Sequence, residues 1–212
     1  MKSLIWIGIP AAVLLLLFLG VPAARYLLSR LRLLAMLRRL RREQTIAYTF
    51  RKSGSLWGFN NGRHADLLIV KGRHAYLVKL GGSFKRATVI TITAPRTWVF
   101  TRYYRSPSLS GAPIFDESHA RKIPFDLLGD TAQLAAALPD DRIVTPVYLL
   151  TPKPLGIQTA AGPLSNGDTA FGVTIGTATW LETTLKTTPA ASPADMVPLQ
   201  TAFQSLDDDM TP

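Results

Sequence analysis

Apolar residues fall into three successive patterns along the chain. From Leu4 to Ala24 there is no charged residue, and Val13 to Leu19 is apolar throughout. As a helix rising 1.5 Å per residue, such a run covers about 30 Å, the thickness of a bilayer core. Next, Leu27, Leu31, Leu34 and Leu37 recur every three or four residues with no Gly or Pro between Arg25 and Glu43. That spacing predicts an amphipathic helix over 25–43. After Gln44 the apolar runs shorten, fill with β-branched and aromatic residues, and are separated by Gly, Pro and Asn, which is strand patterning.

A first strand is predicted within Gln44–Arg51. The stretch Asp66 to Leu80 predicts a hairpin turning at Lys71-Gly72-Arg73. Thr88–Thr93 and Thr97–Thr101 predict two more strands on either side of Pro95, before a Ser/Pro/Gly loop at Ser106–Pro113. Phe125–Leu138 predicts a helix that Gly129 divides, and Arg142–Leu150 a strand bent at Pro146. Asn166-Gly167-Asp168 marks a turn before an extended piece at Phe171–Ile175, and Thr179–Leu185 predicts a short helix. Residues 187–212, with four prolines and Asp207-Asp208-Asp209, read as a disordered tail with one helical turn between Leu199 and Leu206.

The pattern implies an α+β chain. It divides into an N-terminal transmembrane helix (1–24), a basic juxtamembrane helix (25–43), a mixed β-sheet domain with one or two packed helices (44–186) and the tail (187–212). Five strands after one helix argue against regular strand–helix alternation.

Charge sharpens the division. The net charge is +10, but residues 106–212 hold five Lys/Arg against twelve acids, whereas 45–105 hold eleven against Asp66 alone. Arg25, Arg30, Arg32, Arg38, Arg39, Arg41 and Arg42 follow the apolar run and only Lys2 precedes it. The positive-inside rule then puts the N-terminus outside and the rest in the cytoplasm at the cell membrane. These arginines, with Lys85 and Arg86, are the candidates for a membrane-surface or phosphate-binding face, anionic lipid being the expected partner. Packing of the leucine stripe on the domain is the alternative reading. A second basic run, Lys71, Arg73, Lys85, Arg86, Arg96, Arg102 and Arg105, is interleaved with Tyr76, Phe84, Trp98, Phe100, Tyr103 and Tyr104. Basic-aromatic surfaces suit nucleic acid or a membrane interface, while an ordinary core with solvated cations gives the same string.

Candidate chemistry is sparse. There is no cysteine, so thiolate nucleophiles and Cys-type zinc sites are excluded. His64, His74 and His119 have no ligand spacing, and there is no phosphate loop or dinucleotide fingerprint. What remains is Asp66 at the start of one strand and Lys79 near the end of the next, with Glu43 closing the helix before them. A capping acid and an outward lysine would also account for the pair.

With Asp66, the Leu77-Val78-Lys79 triplet and a later helix leading to strand 142–150, residues 40–150 resemble the core of the PD-(D/E)xK nucleases, of restriction-endonuclease-like fold. The resemblance implies Mg²⁺ held by two carboxylates and a lysine that stabilises the attacking water or the transition state. This chain departs from the pattern at the second carboxylate, which is Leu77, and only Glu43 could replace it. The layout is also similar to an uncharacterised family of short membrane-anchored proteins of Gram-positive anaerobic bacteria. Those share an anchor, an Asp-Leu-Leu-Ile-Val strand, a Tyr-Leu-Val-Lys-Leu strand and a Gly-Asp turn like Gly167-Asp168. That resemblance implies architecture and no reaction.

The expected protein is therefore a single-pass, cytoplasm-facing binding or scaffold protein without catalysis or cofactor, its basic face toward anionic lipid. The alternative is a membrane-tethered nuclease or nucleic-acid-binding protein, using Mg²⁺ in the nuclease case.

Overall fold

A computed structural model describes residues 24–44, 46–51, 64–81, 88–105, 113–122, 126–137, 142–189 and 196–206. Helix α1 (24–43) leads into β1 (Ala47–Phe50), β2 (Leu67–Lys71) and β3 (His74–Gly81). Next come β4 (Thr88–Ala94), β5 (Thr97–Arg105), β6 (Pro113–Lys122), α2 (Leu127–Ala136), β7 (Ile143–Leu150), β8 (Gly156–Thr159) and β9 (Gly162–Pro163). The chain continues through β10 (Thr169–Ala170), β11 (Val173–Thr177), α3 (Ala178–Thr187) and α4 (Met196–Ser205).

The strands form two sheets where the sequence suggested one. The first, sheet A, has the order β1-β2-β3-β7-β11-β10, and the second, sheet B, the order β6-β5-β4-β8-β9. In sheet A, β3, β7 and β11 are parallel neighbours, and β2 and β10 run against them. The central strands are buried on both faces, as their apolar runs require.

Alternation along the strands sorts the core into two layers. Leu68, Val70, Ala75, Leu77, Tyr148 and Ile175 pack with Ile90, Ile92 and Trp98 of sheet B, Leu127 and Leu134 of α2, and Phe203 of α4. Leu67, Ile69, Tyr76, Val78, Val147 and Leu149 pack with Leu33, Met36, Leu37 and Leu40 of α1 and Leu181 and Leu185 of α3. Each such fully buried side chain is worth roughly 1.5–3 kcal/mol over an exposed one.

The hairpin forms with Gly72 (φ 57°) in its turn, where the left-handed backbone suits glycine. Gly129 does not divide α2; its N–H donates to Oδ1 of the Asp126 cap, at 3.0 Å, in the first turn. Residues 187–212 contain α4, whose Phe203 is fully buried, so part of the expected disordered tail belongs to the core.

The membrane-anchored architecture is corrected. Among the described residues no helix is long and apolar enough to cross a membrane. The apolar run itself, up to Ala23, lies outside the described residues. The expected single-pass topology, cell-membrane localisation and lipid partnership therefore go no further. The buried face of α1 is not the expected stripe: Leu33, Met36, Leu37 and Leu40 cover sheet A, while Leu27 and Leu31 are exposed and only Leu37 belongs to both sets.

Candidate functional site

Because β1 pairs antiparallel with β2, and β2 with β3, β1 runs in the direction of β3 and β7. Helix α1 ends beside the start of β1, and Gln44 reaches Lys71 there. Twenty helical residues at 1.5 Å each bring its first turns back across the sheet, to the end where β3 and β7 finish. Asp66, Lys79, Tyr148, Gly81 and the Tyr26–Arg30 turn of α1 therefore share the carboxyl edge of the parallel strands.

At that edge Lys79 Nζ donates to Asp66 Oδ1 at 3.0 Å and to the His64 carbonyl at 2.7 Å. The other Asp66 oxygen accepts from the Leu80 N–H at 2.8 Å. His64 Nδ1 lies 2.8 Å from Asp130 Oδ1, and Asp130 Oδ2 accepts from the Ala65 N–H at 2.7 Å. The chain thus runs a closed polar network from α2 through the β2 entry to β3. Arg51, also buried, donates its backbone N–H to the Asp66 carbonyl at 3.0 Å and lies over Phe203.

Tyr148 leans over Gly81, where a Cβ would meet its hydroxyl oxygen at 2.1 Å, so the close approach requires glycine. Its ring centroid is 4.3 Å from that of Trp98. Burial pushes the Tyr148 phenol well above its ordinary value. The Asp66 charge adds to the shift and the Arg30 charge opposes it.

The predicted residues separate on the structure. Asp66 and Lys79 converge, whereas Glu43 is solvent-exposed in the last turn of α1 at the opposite edge of the sheet. Leu77 is fully buried in the apolar layer, so no carboxylate stands where the nuclease pattern needs its second. Among the described residues no group of three His, Cys, Asp or Glu side chains could hold a metal ion.

The arginines of α1 do not make one face. Arg32, Arg38, Arg41 and Arg42 are exposed, Arg39 pairs with Glu182, Arg25 is half-buried and Arg30 is buried. Lys85 and Arg86 lie outside the described residues. The basic-aromatic run is likewise dispersed, because Lys71, Tyr76 and Trp98 are buried while Arg73 and Arg96 are exposed. Phe84, Lys85 and Arg86, and the side chains of Arg102, Tyr103, Tyr104 and Arg105, lie outside the described residues, and the five placed above fit an ordinary core with solvated cations.

A cleft of about 260 Å³ lined by Ile92, Trp98, Leu127, Leu128, Phe171 and Val173 opens between sheet B and α2. Phe171 (φ 49°) and Gly172 (φ 79°) form the β10–β11 turn at its lip, leaving Phe171 46% exposed. Sequence reasoning missed this cleft and the His64–Asp130 contact, which joins residues 66 positions apart. It also counted Arg30 only as one of seven surface cations. Its place on the Leu33–Leu37–Leu40 side was available from helical periodicity.

Fold and site define the class: an α/β-layered domain with a mixed sheet and a closed charged network at the carboxyl edge of its parallel strands. No family model, curated protein or solved structure matches the chain. The resemblances to the PD-(D/E)xK nucleases and to the membrane-anchored anaerobe family are therefore withdrawn.

Proposed function

We propose that the protein is a binding module rather than an enzyme, and that it binds at the carboxyl edge of sheet A. The observation that carries this reading is the closure of the Asp66–Lys79 pair. Both Asp66 oxygens receive donors from the chain, and Lys79 gives to Asp66 and to the His64 carbonyl. A general base needs a free lone pair toward its substrate, and a hard-cation site needs uncommitted carboxylate oxygens. Asp66 is held by the chain through both oxygens and is only 7% exposed, so it presents little of its carboxylate to a substrate or a hydrated cation. The pair instead forms a rigid floor where the parallel strands end, the part of an open α/β sheet at which ligands bind. The perturbed phenol of Tyr148 at the same edge supports the location.

Hydrogen exchange on the full chain tests the reading, using a panel of small carboxylates, phosphates and neutral analogues. A bound ligand is expected to slow exchange at Leu80, Gly81 and Thr151. Protection confined to the Phe171 turn, or turnover of any ligand in the panel, would falsify the proposal.

A further inference from the structure

Tyr26 and Arg30 stand one helical turn apart on α1, the spacing that puts two side chains on one face. The Arg30 guanidinium carbon lies 4.8 Å from the Tyr26 ring centroid, and Nη2 donates to the Tyr26 hydroxyl at 2.8 Å. Arg30 is 2% exposed, yet its Nε and Nη1 have no hydrogen-bond partner. Buried donors of a charged group are costly to leave unmet, so this guanidinium calls for a counter-charge.

The geometry also says what shape the counter-charge has. A guanidinium carries five N–H donors in one plane, and Tyr26 occupies one of the two on Nη2. Whichever one it takes, the other still points alongside either Nε–H or an Nη1–H. One complete two-donor fork therefore stays open, and such a fork matches two oxygens of a planar or tetrahedral oxyanion. The neighbouring carboxylate is not available to fill it. Asp66, the one acid in residues 45–105, accepts from Lys79 and the Leu80 N–H and not from Arg30 Nε or Nη1.

We infer that Arg30 receives a carboxylate or phosphate group of the ligand through this open fork, with Tyr26 stacked on the guanidinium to hold its orientation. This rests on the binding-edge reading above and names the ligand's chemistry. Lys79 plays no part in anion capture, because Asp66 already neutralises it. The Arg30 charge is also felt at the Tyr148 phenol.

The test is thermal unfolding of the full chain in rising acetate or inorganic phosphate, against chloride at equal ionic strength. The midpoint is expected to rise saturably with acetate or phosphate and not with chloride, and the anion that saturates at lower concentration identifies the group. Arg30→Met abolishes the saturable part, leaving only the general salting effect of phosphate. Arg30→Lys, which keeps the charge and loses the fork, binds about tenfold more weakly. Tyr26→Phe weakens binding several-fold without abolishing it. If Arg30→Met does not fold, the lysine and phenylalanine variants decide the matter by affinity alone. An equal saturable rise in wild type and variants overturns the inference, as does no saturable rise in wild type. Edge protection by a neutral ligand that persists in Arg30→Met overturns the oxyanion assignment and leaves the binding edge standing. Protection that maps away from the edge removes both.

Discussion

The hairpin at the centre of sheet A buries a lysine at each end, and the two are accommodated by opposite means. Lys79, at the carboxyl edge, faces a carboxylate. Lys71, at the amino edge, has neutral acceptors: the Gln44 side-chain oxygen at 3.1 Å and the carbonyl of Leu185. Leu185 lies in the last turn of α3, where carbonyls lack helical partners and carry the negative end of the helix dipole. Burial is similar, 3% exposure for Lys79 and 2% for Lys71. Burial lowers the Lys71 pKa below its ordinary value of 10.5. A full counter-charge and a partial dipole thus both allow a lysine inside this fold, and the two ends should respond differently to mutation and to pH.

The largest expected effect comes from breaking the ion pair. Asp66→Asn leaves the Lys79 charge buried without its partner, which costs about 3–5 kcal/mol in urea unfolding. The double variant Asp66→Leu/Lys79→Met should recover most of that loss, because an apolar pair avoids the desolvation of both charges. If the double variant is as unstable as the single one, the pair does more than neutralise itself.

Tyr148 reports on the same edge from the alkaline side. Its folded pKa is raised above the ordinary 10.0, chiefly by burial and then by Asp66. The unfolded chain therefore releases this proton first. Stability from this group is full below pH 10 and falls by about 1.4 kcal/mol per unit above it. Phenolate absorbance should show an ionisation that appears only with unfolding and is missing in Tyr148→Phe. Phenolate formation at Tyr148 before unfolding would contradict its burial.

Lys71 should act with the reverse sign. With its folded pKa lowered, the folded protein gives up the proton while the unfolded chain keeps it. Stability from this group accordingly rises with pH in the window just below 10.5. Lys71→Met should cost about 1 kcal/mol at neutral pH, through the unmet Leu185 carbonyl, and should remove that alkaline gain. A loss as large as that of Asp66→Asn would dissolve the contrast between the two ends.

The smallest effect belongs to the solvent-facing cations. Glu182 takes a hydrogen bond from Lys186 at 2.7 Å and also pairs with Arg39. The Lys186 hydrogen bond, then the charges of Arg39 and Lys186, hold its carboxyl below the usual value, against the opposing effect of burial. Its contribution is present above the ordinary carboxylate range and disappears as pH falls through the folded value. Glu182→Gln should cost about 0.5 kcal/mol at pH 7 and nothing in acid, read as the difference between two denaturation midpoints. A cost comparable to Lys71→Met would mean that exposure does not separate these charges.

Local signals carried the individual elements well. Alternating and continuous apolar runs marked β2, β3, β4 and β7, and the observed spans differ from the expected ones by a residue or two at each end. The helices over 24–43, Leu127–Ala136 and Ala178–Thr187 follow the expected segments in the same way. Strand β6 was not legible. Its stretch Phe115-Asp116-Glu117-Ser118-His119-Ala120-Arg121-Lys122 is mostly charged and polar, and it is a strand because it pairs along β5. Helix α4 was legible only as one turn between Leu199 and Leu206; its proline and polar surroundings hid its length and the burial of Phe203.

By itself, the sequence determined the helices and most of the central strands, that the first half is basic, and that Asp66 and Lys79 belong to one hairpin. Those properties depend on side-chain periodicity and turn chemistry, which act over a few residues. The tertiary structure alone decided the parallel pairing of β3 with β7, the division into two sheets, and the closure of Asp66 by Lys79 and the Leu80 N–H. It also decided which one of seven similar arginines on α1 is buried with an open fork. Such choices depend on which surfaces exclude water together. A buried charge and a solvated one can be the same letter in the sequence, distinguished only by what packs around them.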